Sequence, residues 1–186
     1  QYFVTEMGAY VRGEIEQICD LTKPQIGVVT AIGPMHLERF KTLENTVEAK
    51  YELIKALPRD GVGVFNGDDE RVLGMAERGY PDTQYCVSYG DNPADARLIA
   101  KNVRHTVDGL TFEVVDQETG EERTFNTRLI GQHNVTNILL AAMVARHAGM
   151  PLNEIGMRVA SLRPSEHRLN QSTLPNGVVV LDDAYN

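Results

Sequence analysis

The pattern of apolar and polar positions predicts alternating strands and helices over the first half of the chain. Short continuous apolar runs predict buried strands, and apolar residues three to four positions apart predict helices. By these criteria residues 1–6, 27–32, 62–65 and 84–89 are strands, and residues 14–21, 43–57 and 71–78 are helices. Strands that alternate with helices at this spacing are typical of parallel sheets with right-handed crossovers. We therefore expect an α/β fold with a doubly wound, mostly parallel sheet flanked by helices.

The second half of the chain first changes to strict alternation of apolar and polar residues. Three such runs, residues 97–106, 110–116 and 123–130, predict a small antiparallel β meander. Helices are predicted over residues 135–148 and 153–162, and a hairpin over residues 169–173 and 177–181. Asn134 is a candidate N-cap for the first of these helices, because its side chain can accept from free backbone N–H groups.

Lys50 is the residue that this pattern explains least well. In a helix over residues 43–57 it shares a stripe with Leu43, Val47, Ile54 and Leu57, whereas Glu44, Glu48, Glu52 and Lys55 take the opposite side. A charged amine on an apolar stripe is costly unless it is paired, reaches solvent or loses its charge. One interpretation is a stem packed on the core with its amine at a surface carboxylate.

The other interpretation of Lys50 is chemical. Burial favours the neutral amine, and a neutral amine can react with carbon dioxide to give a carbamate. A carbamate offers oxygen atoms, which are the ligands that magnesium prefers. Glu6, His36 and the pair Asp68 and Asp69 each follow a predicted strand, and the carboxyl ends of parallel strands carry the sites of such folds. His36 is therefore a candidate for a further metal ligand.

Composition and charge narrow the classes of function. The net charge of -8 disfavours a nucleic-acid partner, since the chain lacks a basic stripe that could neutralise phosphates. No apolar run is long enough to predict membrane insertion. Cys19 and Cys86 lie in apolar surroundings without metal-ligand spacing, so we expect reduced core cysteines and a cytoplasmic protein.

The two ends of the sequence predict an excised fragment. Residues 1–6 resemble a strand already under way, and the chain stops at Asn186 directly after another strand. A P-loop requires Gly-Lys followed by Ser or Thr, and none of the five lysines follows a glycine.

Seven short motifs, taken in order, resemble the central, ATP-binding domain of the Mur ligases. They are Glu6-Met-Gly-Ala with Gly13-Glu-Ile, Ile32-Gly-Pro-Met-His-Leu-Glu-Arg-Phe40, Glu48-Ala-Lys50, Asn66-Gly-Asp-Asp69, Gly131-Gln-His-Asn-Val-Thr-Asn137, His167-Arg168 and Asp182-Asp-Ala-Tyr-Asn186. The resemblance implies an ATP-dependent amide ligase of peptidoglycan precursor synthesis that works through an acyl phosphate. Within the family, the motifs are most similar to the member that adds D-alanyl-D-alanine to a UDP-N-acetylmuramoyl tripeptide.

The resemblance also implies roles for individual residues. Glu6, His36 and Lys50 match magnesium ligands, with Lys50 as the carbamylated lysine. Asn134 and Asn137 match asparagines near the adenine of ATP, Arg168 matches a nucleotide-contacting arginine, and Asp183, next to Asp182, matches the acid on the ribose. The implied small-molecule partners are ATP, magnesium, the UDP-linked tripeptide and D-alanyl-D-alanine. The family's P-loop and its flanking N- and C-terminal domains are expected outside residues 1–186, so we expect the fragment alone to be inactive.

Some positions depart from the family pattern. Lys41-Thr42 stands where Gly-Ser is usual, and Ala184 stands where serine is common. A non-catalytic Mur-like binding module is the alternative from another class, and folylpolyglutamate or cyanophycin synthesis is the alternative within the superfamily. A nicotinamide-dependent oxidoreductase is disfavoured, because no Gly-x-Gly-x-x-Gly motif follows a strand.

Overall fold

The structure is a computed structural model that describes residues 2–33, 37–90, 95–106, 109–165 and 168–184. The side chains of Leu37, Arg39 and Asn170 lie outside this description. The chain divides into two compact units, residues 1–97 and residues 98–186.

The first unit alternates helices with strands, as expected. Its elements are α1 (Glu14–Thr22), β1 (Ile26–Val29), α2 (Leu37–Phe40), α3 (Leu43–Lys55), β2 (Val62–Asn66), α4 (Glu70–Ala76) and β3 (Thr83–Ser88). Strand β2 pairs in parallel with both β1 and β3. The α/β class with parallel strands is therefore confirmed, and only the short helix α2 was missing from the predicted set.

Helices α3 and α4 contact each other and pack against the parallel strands. Residues of both helices join the apolar cluster that lies against β1 and β2 (Val29, Ile32, Tyr51, Ile54, Leu57, Phe65, Val72 and Met75). Helix α3 approaches β1 closely at Gly27, where a Cβ atom would lie 3.2 Å from the side chains of Leu53, Ile54 and Leu57. A larger residue there would push α3 away from the strand. Gly27 therefore allows α3 to lie close to the amino-terminal end of β1.

The strand predicted for residues 1–6 is wrong. Residues 2–9 have no regular secondary structure, and Tyr2, Phe3 and Val4 are 76%, 80% and 90% exposed. An apolar run is compatible with a strand, but a strand forms only where a neighbouring strand accepts its backbone hydrogen bonds. None of the described strands pairs with this segment.

The second unit contains the expected antiparallel meander, two helices and a hairpin. Its elements are β4 (Ala96–Thr106), β5 (Gly109–Asp116), β6 (Glu122–Thr127), α5 (His133–His147), α6 (Leu152–Ala160), β7 (Asn170–Thr173) and β8 (Val179–Asp182). Strand β5 pairs antiparallel with β4 and β6, and β7 pairs with β8. The ring of Phe125 in β6 lies against Gly156, which lets α6 pack closely on the meander.

An ion-pair network around one buried carboxylate joins the meander to α5. Asp116 is completely buried, and one of its carboxylate oxygens accepts from Nε of Arg146 at 3.1 Å. The other oxygen accepts from the backbone N–H groups of Glu118 and Thr119 at 3.1 and 3.4 Å. Nη2 of Arg146 donates to Glu121 at 2.9 Å. The network therefore fixes the turn between β5 and β6 against the helix.

Two further expectations concern cysteines and membrane insertion. Cys19 is buried, Cys86 is half-buried, and both are free thiols, as predicted. Among the helices that the structure describes, none is long and apolar enough to cross a membrane.

Candidate functional site

The segment Thr30–Gly33 extends beyond the carboxyl end of β1 and leads in sequence towards His36. His36 lies, with Pro34 and Met35, outside the described residues, so its role as a metal ligand stays a prediction. Lys50 contacts the segment Thr30–Gly33, since its Nζ donates to the carbonyl oxygen of Ala31 at 2.8 Å.

The environment of Lys50 differs from the first interpretation of the sequence. Among the described residues, its amine donates to a backbone carbonyl and pairs with no surface carboxylate. The buried residues of α3 are Thr46, Ala49, Tyr51 and Ile54, and Lys50, one turn from both Thr46 and Ile54, is half-buried among them. Burial lowers the pKa of Lys50, and the negative charge of Asp69 partly opposes this effect. The neutral amine is therefore favoured here more than in water.

The lowered pKa makes the stability of the chain depend on pH at this site. Lysine ordinarily loses its proton near pH 10.4, so between the lowered pKa and about 10.4 the unfolded chain binds a proton that the folded chain lacks. The free energy of unfolding should therefore rise with pH across that window. We expect the difference between the unchanged chain and Lys50→Met, measured by urea unfolding, to grow from about pH 7 to about pH 10.

Lys55→Met is the matched control for this measurement, because Lys55 is an exposed lysine on the same helix. A difference for Lys50→Met that is flat, or that falls with pH, would show that the amine is not held in a desolvating environment.

Glu6, the other described candidate for the metal, is exposed in the segment without regular structure. Among the described residues, from which His36 is missing, no group of three or more His, Cys, Asp or Glu side chains could hold a metal ion. The donor chemistry still fits magnesium, since a carboxylate and a carbamate both supply oxygen. Glu6 and Lys50 remain predicted ligands on that basis.

Glu52 has a function that the sequence did not suggest. It was expected on the solvent side of α3, but its carboxylate accepts from the backbone N–H groups of Gly13 at 2.7 Å and Glu16 at 3.3 Å. These are free donors at the start of α1, and an acidic group there is also favoured by the helix dipole. Helix α3 is therefore joined to α1 as well as to β1.

The motif Asn66-Gly67-Asp68-Asp69 connects the carboxyl ends of all three parallel strands. Nδ2 of Asn66 donates to the carbonyl of Thr30 at 2.8 Å, and Oδ2 of Asp69 accepts from the N–H of Ile32 at 2.8 Å. Asp68 accepts from the hydroxyl of Ser88 and from the N–H groups of Tyr89 and Gly90. The two aspartates therefore hold the loops after β1 and β3, although their position at a strand end suggested a ligand site.

In the second unit, Asn134 and Asn137 lie three residues apart in the first turns of α5. The helix begins at His133, not at residue 135, so Asn134 is not its cap. Nδ2 of Asn134 instead donates to the carbonyl of Ile130 at 2.7 Å. Asn137 is exposed, and its amide offers both a donor and an acceptor, the groups needed to read the edge of an adenine.

Asp183 forms a hydrogen bond with Leu169, the residue that follows Arg168 in the chain. One carboxylate oxygen of Asp183 accepts from the N–H of Leu169 at 3.2 Å, and both Asp183 and Arg168 are exposed. Asp182 is half-buried, and its carboxylate accepts from the N–H of Ala184 at 3.3 Å. The two neighbouring acids therefore have different environments, and Asp183 is the more accessible one. Glu166 and His167 lie outside the described residues.

Comparison with known proteins gives consistent results in sequence and in fold. A family model described as "Mur ligase middle domain" matches residues 1–145. The "UDP-N-acetylmuramoyl-tripeptide--D-alanyl-D-alanine ligase" of Mycobacterium bovis is 31% identical over 196 residues, covering 100% of this chain and 36% of the relative.

Two solved structures are similar to this chain in fold. The crystal structure of MurF from Acinetobacter baumannii has a TM-score of 0.84 at 22% identity, over 97% of this chain and 38% of that one. The crystal structure of MurF ligase from Thermotoga maritima in complex with ADP has a TM-score of 0.78 at 23% identity, over 96% and 39%. At these identities the structural similarity supports the fold alone.

This chain spans well under half the length of the relatives that it matches. The family match itself covers most of the chain, including the parallel strands, Lys50 and the start of α5. The chain therefore belongs to the Mur ligase family, through the middle domain of that family.

Proposed function

We propose that this chain is the central, nucleotide-binding part of an ATP-dependent ligase that adds D-alanyl-D-alanine to a UDP-N-acetylmuramoyl tripeptide. The observation that carries the proposal is the match to the Mur ligase middle domain over residues 1–145. A relative at 31% identity is named for this reaction, which supports this choice of substrate within the family. The proposal implies a role in peptidoglycan precursor synthesis, a cytoplasmic step of cell wall biogenesis.

Lys50 is the proposed centre of the metal site. As a carbamate it would hold magnesium together with Glu6 and His36. Bound magnesium would neutralise phosphate charge during phosphoryl transfer. What this chain contributes is a partly desolvated amine whose nitrogen is oriented by the Ala31 carbonyl. Burial keeps more of the amine neutral, and only the neutral amine can react with carbon dioxide.

The nucleotide is proposed to bind to residues of the second unit. Asn137 would contact the adenine edge, with Asn134 beside it, and Arg168 and Asp183 would contact the remainder of the nucleotide. The exposed amide of Asn137 and the exposed carboxylate of Asp183 support this assignment, since both are accessible to a ligand. The structure of a MurF ligase with ADP, at TM-score 0.78, is consistent with a nucleotide on this fold.

The test is a ligation assay on the full-length protein encoded by the gene. We expect release of ADP that requires magnesium, the UDP-linked tripeptide and D-alanyl-D-alanine together, with a product heavier by one dipeptide in mass spectrometry. The control is the chain of residues 1–186 alone, which should neither ligate nor hydrolyse ATP because it lacks a Gly-Lys-Ser/Thr loop.

Other results of the same assay would identify the alternatives. Ligation of a glutamate or aspartate substrate without D-alanyl-D-alanine would favour folylpolyglutamate or cyanophycin synthesis. ATP binding without any ligation, across all these substrates, would favour a non-catalytic binding module and would refute the proposal.

A further inference from the structure

Three side chains contact three consecutive residues just beyond β1. Asn66 donates to the carbonyl of Thr30, Lys50 donates to the carbonyl of Ala31, and Asp69 accepts from the N–H of Ile32, each at 2.8 Å. These residues follow the last residue of β1, Val29, so the sheet ladder does not hold them. The position of the Ala31 carbonyl therefore depends on the contacts at the residues on either side of it.

Asn66 and Asp69 are themselves fixed by second contacts. The side chain of Asn66 is buried, and its Oδ1 accepts from the N–H of Asp68 at 3.0 Å. Asp69 uses its other oxygen to cap α4, accepting from Arg71 at 3.0 Å and Val72 at 3.3 Å. Each side chain thus joins the Thr30–Gly33 segment to a rigid element, β2 in one case and α4 in the other.

We infer that Asn66 and Asp69 are positioning residues for Lys50, which hold the Ala31 carbonyl where it orients the Lys50 nitrogen for carbamylation. The inference rests on the proposed function, because it concerns the same modified lysine. Both residues would act on Lys50 indirectly, through their hydrogen bonds to Thr30 and Ile32.

The chemistry of the modification explains why an orienting acceptor is useful. The neutral amine has two N–H groups and one lone pair. When the lone pair attacks carbon dioxide, an N–C bond forms, one C=O electron pair moves onto oxygen, and one proton leaves the nitrogen for solvent. The carbamate keeps one N–H, which can still donate to the Ala31 carbonyl. The same contact therefore orients the nitrogen before and after the reaction.

Serine substitutions can separate positioning from stability. In Asp69→Ser the hydroxyl can still cap α4, but the oxygen that accepts from Ile32 is lost. In Asn66→Ser the hydroxyl can still accept from Asp68, but the amide that donates to Thr30 is lost. Asp68→Ser is the matched control, since the described hydrogen bonds of the Asp68 carboxylate go to Ser88, Tyr89 and Gly90 and not to the Thr30–Gly33 segment.

The experiment measures the carbamate directly in the full-length protein. Carbon NMR with 13C-labelled bicarbonate reports the occupancy of the lysine carbamate, and Lys50→Ala identifies its signal. We expect Asn66→Ser to raise the half-saturating bicarbonate concentration about tenfold, as is typical for residues that orient a ligand. Asp69→Ser should raise it less, because losing the negative charge of Asp69 also favours the neutral amine of Lys50. In Asp68→Ser the half-saturating bicarbonate concentration should stay within about twofold of that of the unchanged protein. Excess bicarbonate should restore ligation in the two positioning variants, which a loss of folding would not allow.

Three outcomes would contradict the inference. A carbamate that forms in the unchanged protein and equally well in Asp69→Ser and Asn66→Ser would overturn the positioning role and leave the proposed function intact. An equal effect in Asp68→Ser would also overturn it, because the cause would then be general destabilisation. An unchanged protein that ligates without any carbamate signal would refute both the modification of Lys50 and the inference that depends on it.

Discussion

Lys50→Ala in the full-length protein should lower kcat for ligation by at least about 10²–10³-fold, the usual cost of removing one preorganised electrostatic group. The variant lacks both the amine that donates to Ala31 and the carbamate proposed to hold magnesium. Because alanine leaves space at this position, a short-chain carboxylic acid added to the assay should partly restore the rate. Steady-state kinetics with and without such an acid measure both effects.

Two further variants separate the carbamate from simple loss of charge. Lys50→Arg keeps a positive charge, but a guanidinium stays protonated and cannot form a carbamate, so it should be as inactive as Lys50→Ala. Lys55→Ala removes an exposed lysine of α3 whose partner is Glu48 at 3.8 Å, and it should change kcat by less than about twofold. An active Lys50→Ala or Lys50→Arg variant would end the carbamate hypothesis.

Arg146→Met should destabilise the second unit by about 3–5 kcal/mol, because it removes the guanidinium that pairs with the completely buried carboxylate of Asp116. Equilibrium unfolding in urea, or amide hydrogen exchange in β5 and β6, measures the loss. The control is Arg158→Met, whose side chain is 74% exposed and pairs with Glu154 in the same helix. We expect a loss of about 0.5 kcal/mol or less for that variant.

The double variant Asp116→Asn with Arg146→Met tests the physical cause. The asparagine oxygen can still accept from Glu118 and Thr119, and the buried negative charge is removed together with the guanidinium that paired with it. The double variant should therefore be more stable than Arg146→Met alone. If it is less stable, the cost lies in lost packing of the arginine stem and not in the buried charge.

The local pattern of the sequence was sufficient for most helices and strands. Helix α3 was predicted over residues 43–57 and lies at Leu43–Lys55, and the three strands of the meander and the final hairpin also lie within a few residues of their predicted positions. These elements have a strong apolar period and clear turn residues, which act over short distances in the chain. Segment 1–6 also contains an apolar run. A strand requires a neighbouring strand as a partner, however, and the residues of the segment cannot supply one.

The candidate site was predicted in its chemistry and only partly in its contacts. The sequence singled out Lys50, because a lysine near an apolar stripe requires an explanation, and the structure gives it a half-buried environment with a lowered pKa. The acceptor of its hydrogen bond, the Ala31 carbonyl, could not be predicted, because it lies 19 residues away in the chain. The same is true of Asn66 with Thr30 and of Glu52 with Gly13.

The sequence by itself determined the fold class and the family and supplied the candidate residues of the site, because these follow from local periodicity and from short motifs. Only the tertiary structure decided which polar side chains are structural. Asp68, Asp69 and Glu52 bind backbone groups of distant segments, and Asp116 is neutralised by Arg146 from another element. Free backbone groups at loop and helix ends must find partners, and the identity of a partner depends on which distant segments the fold brings together.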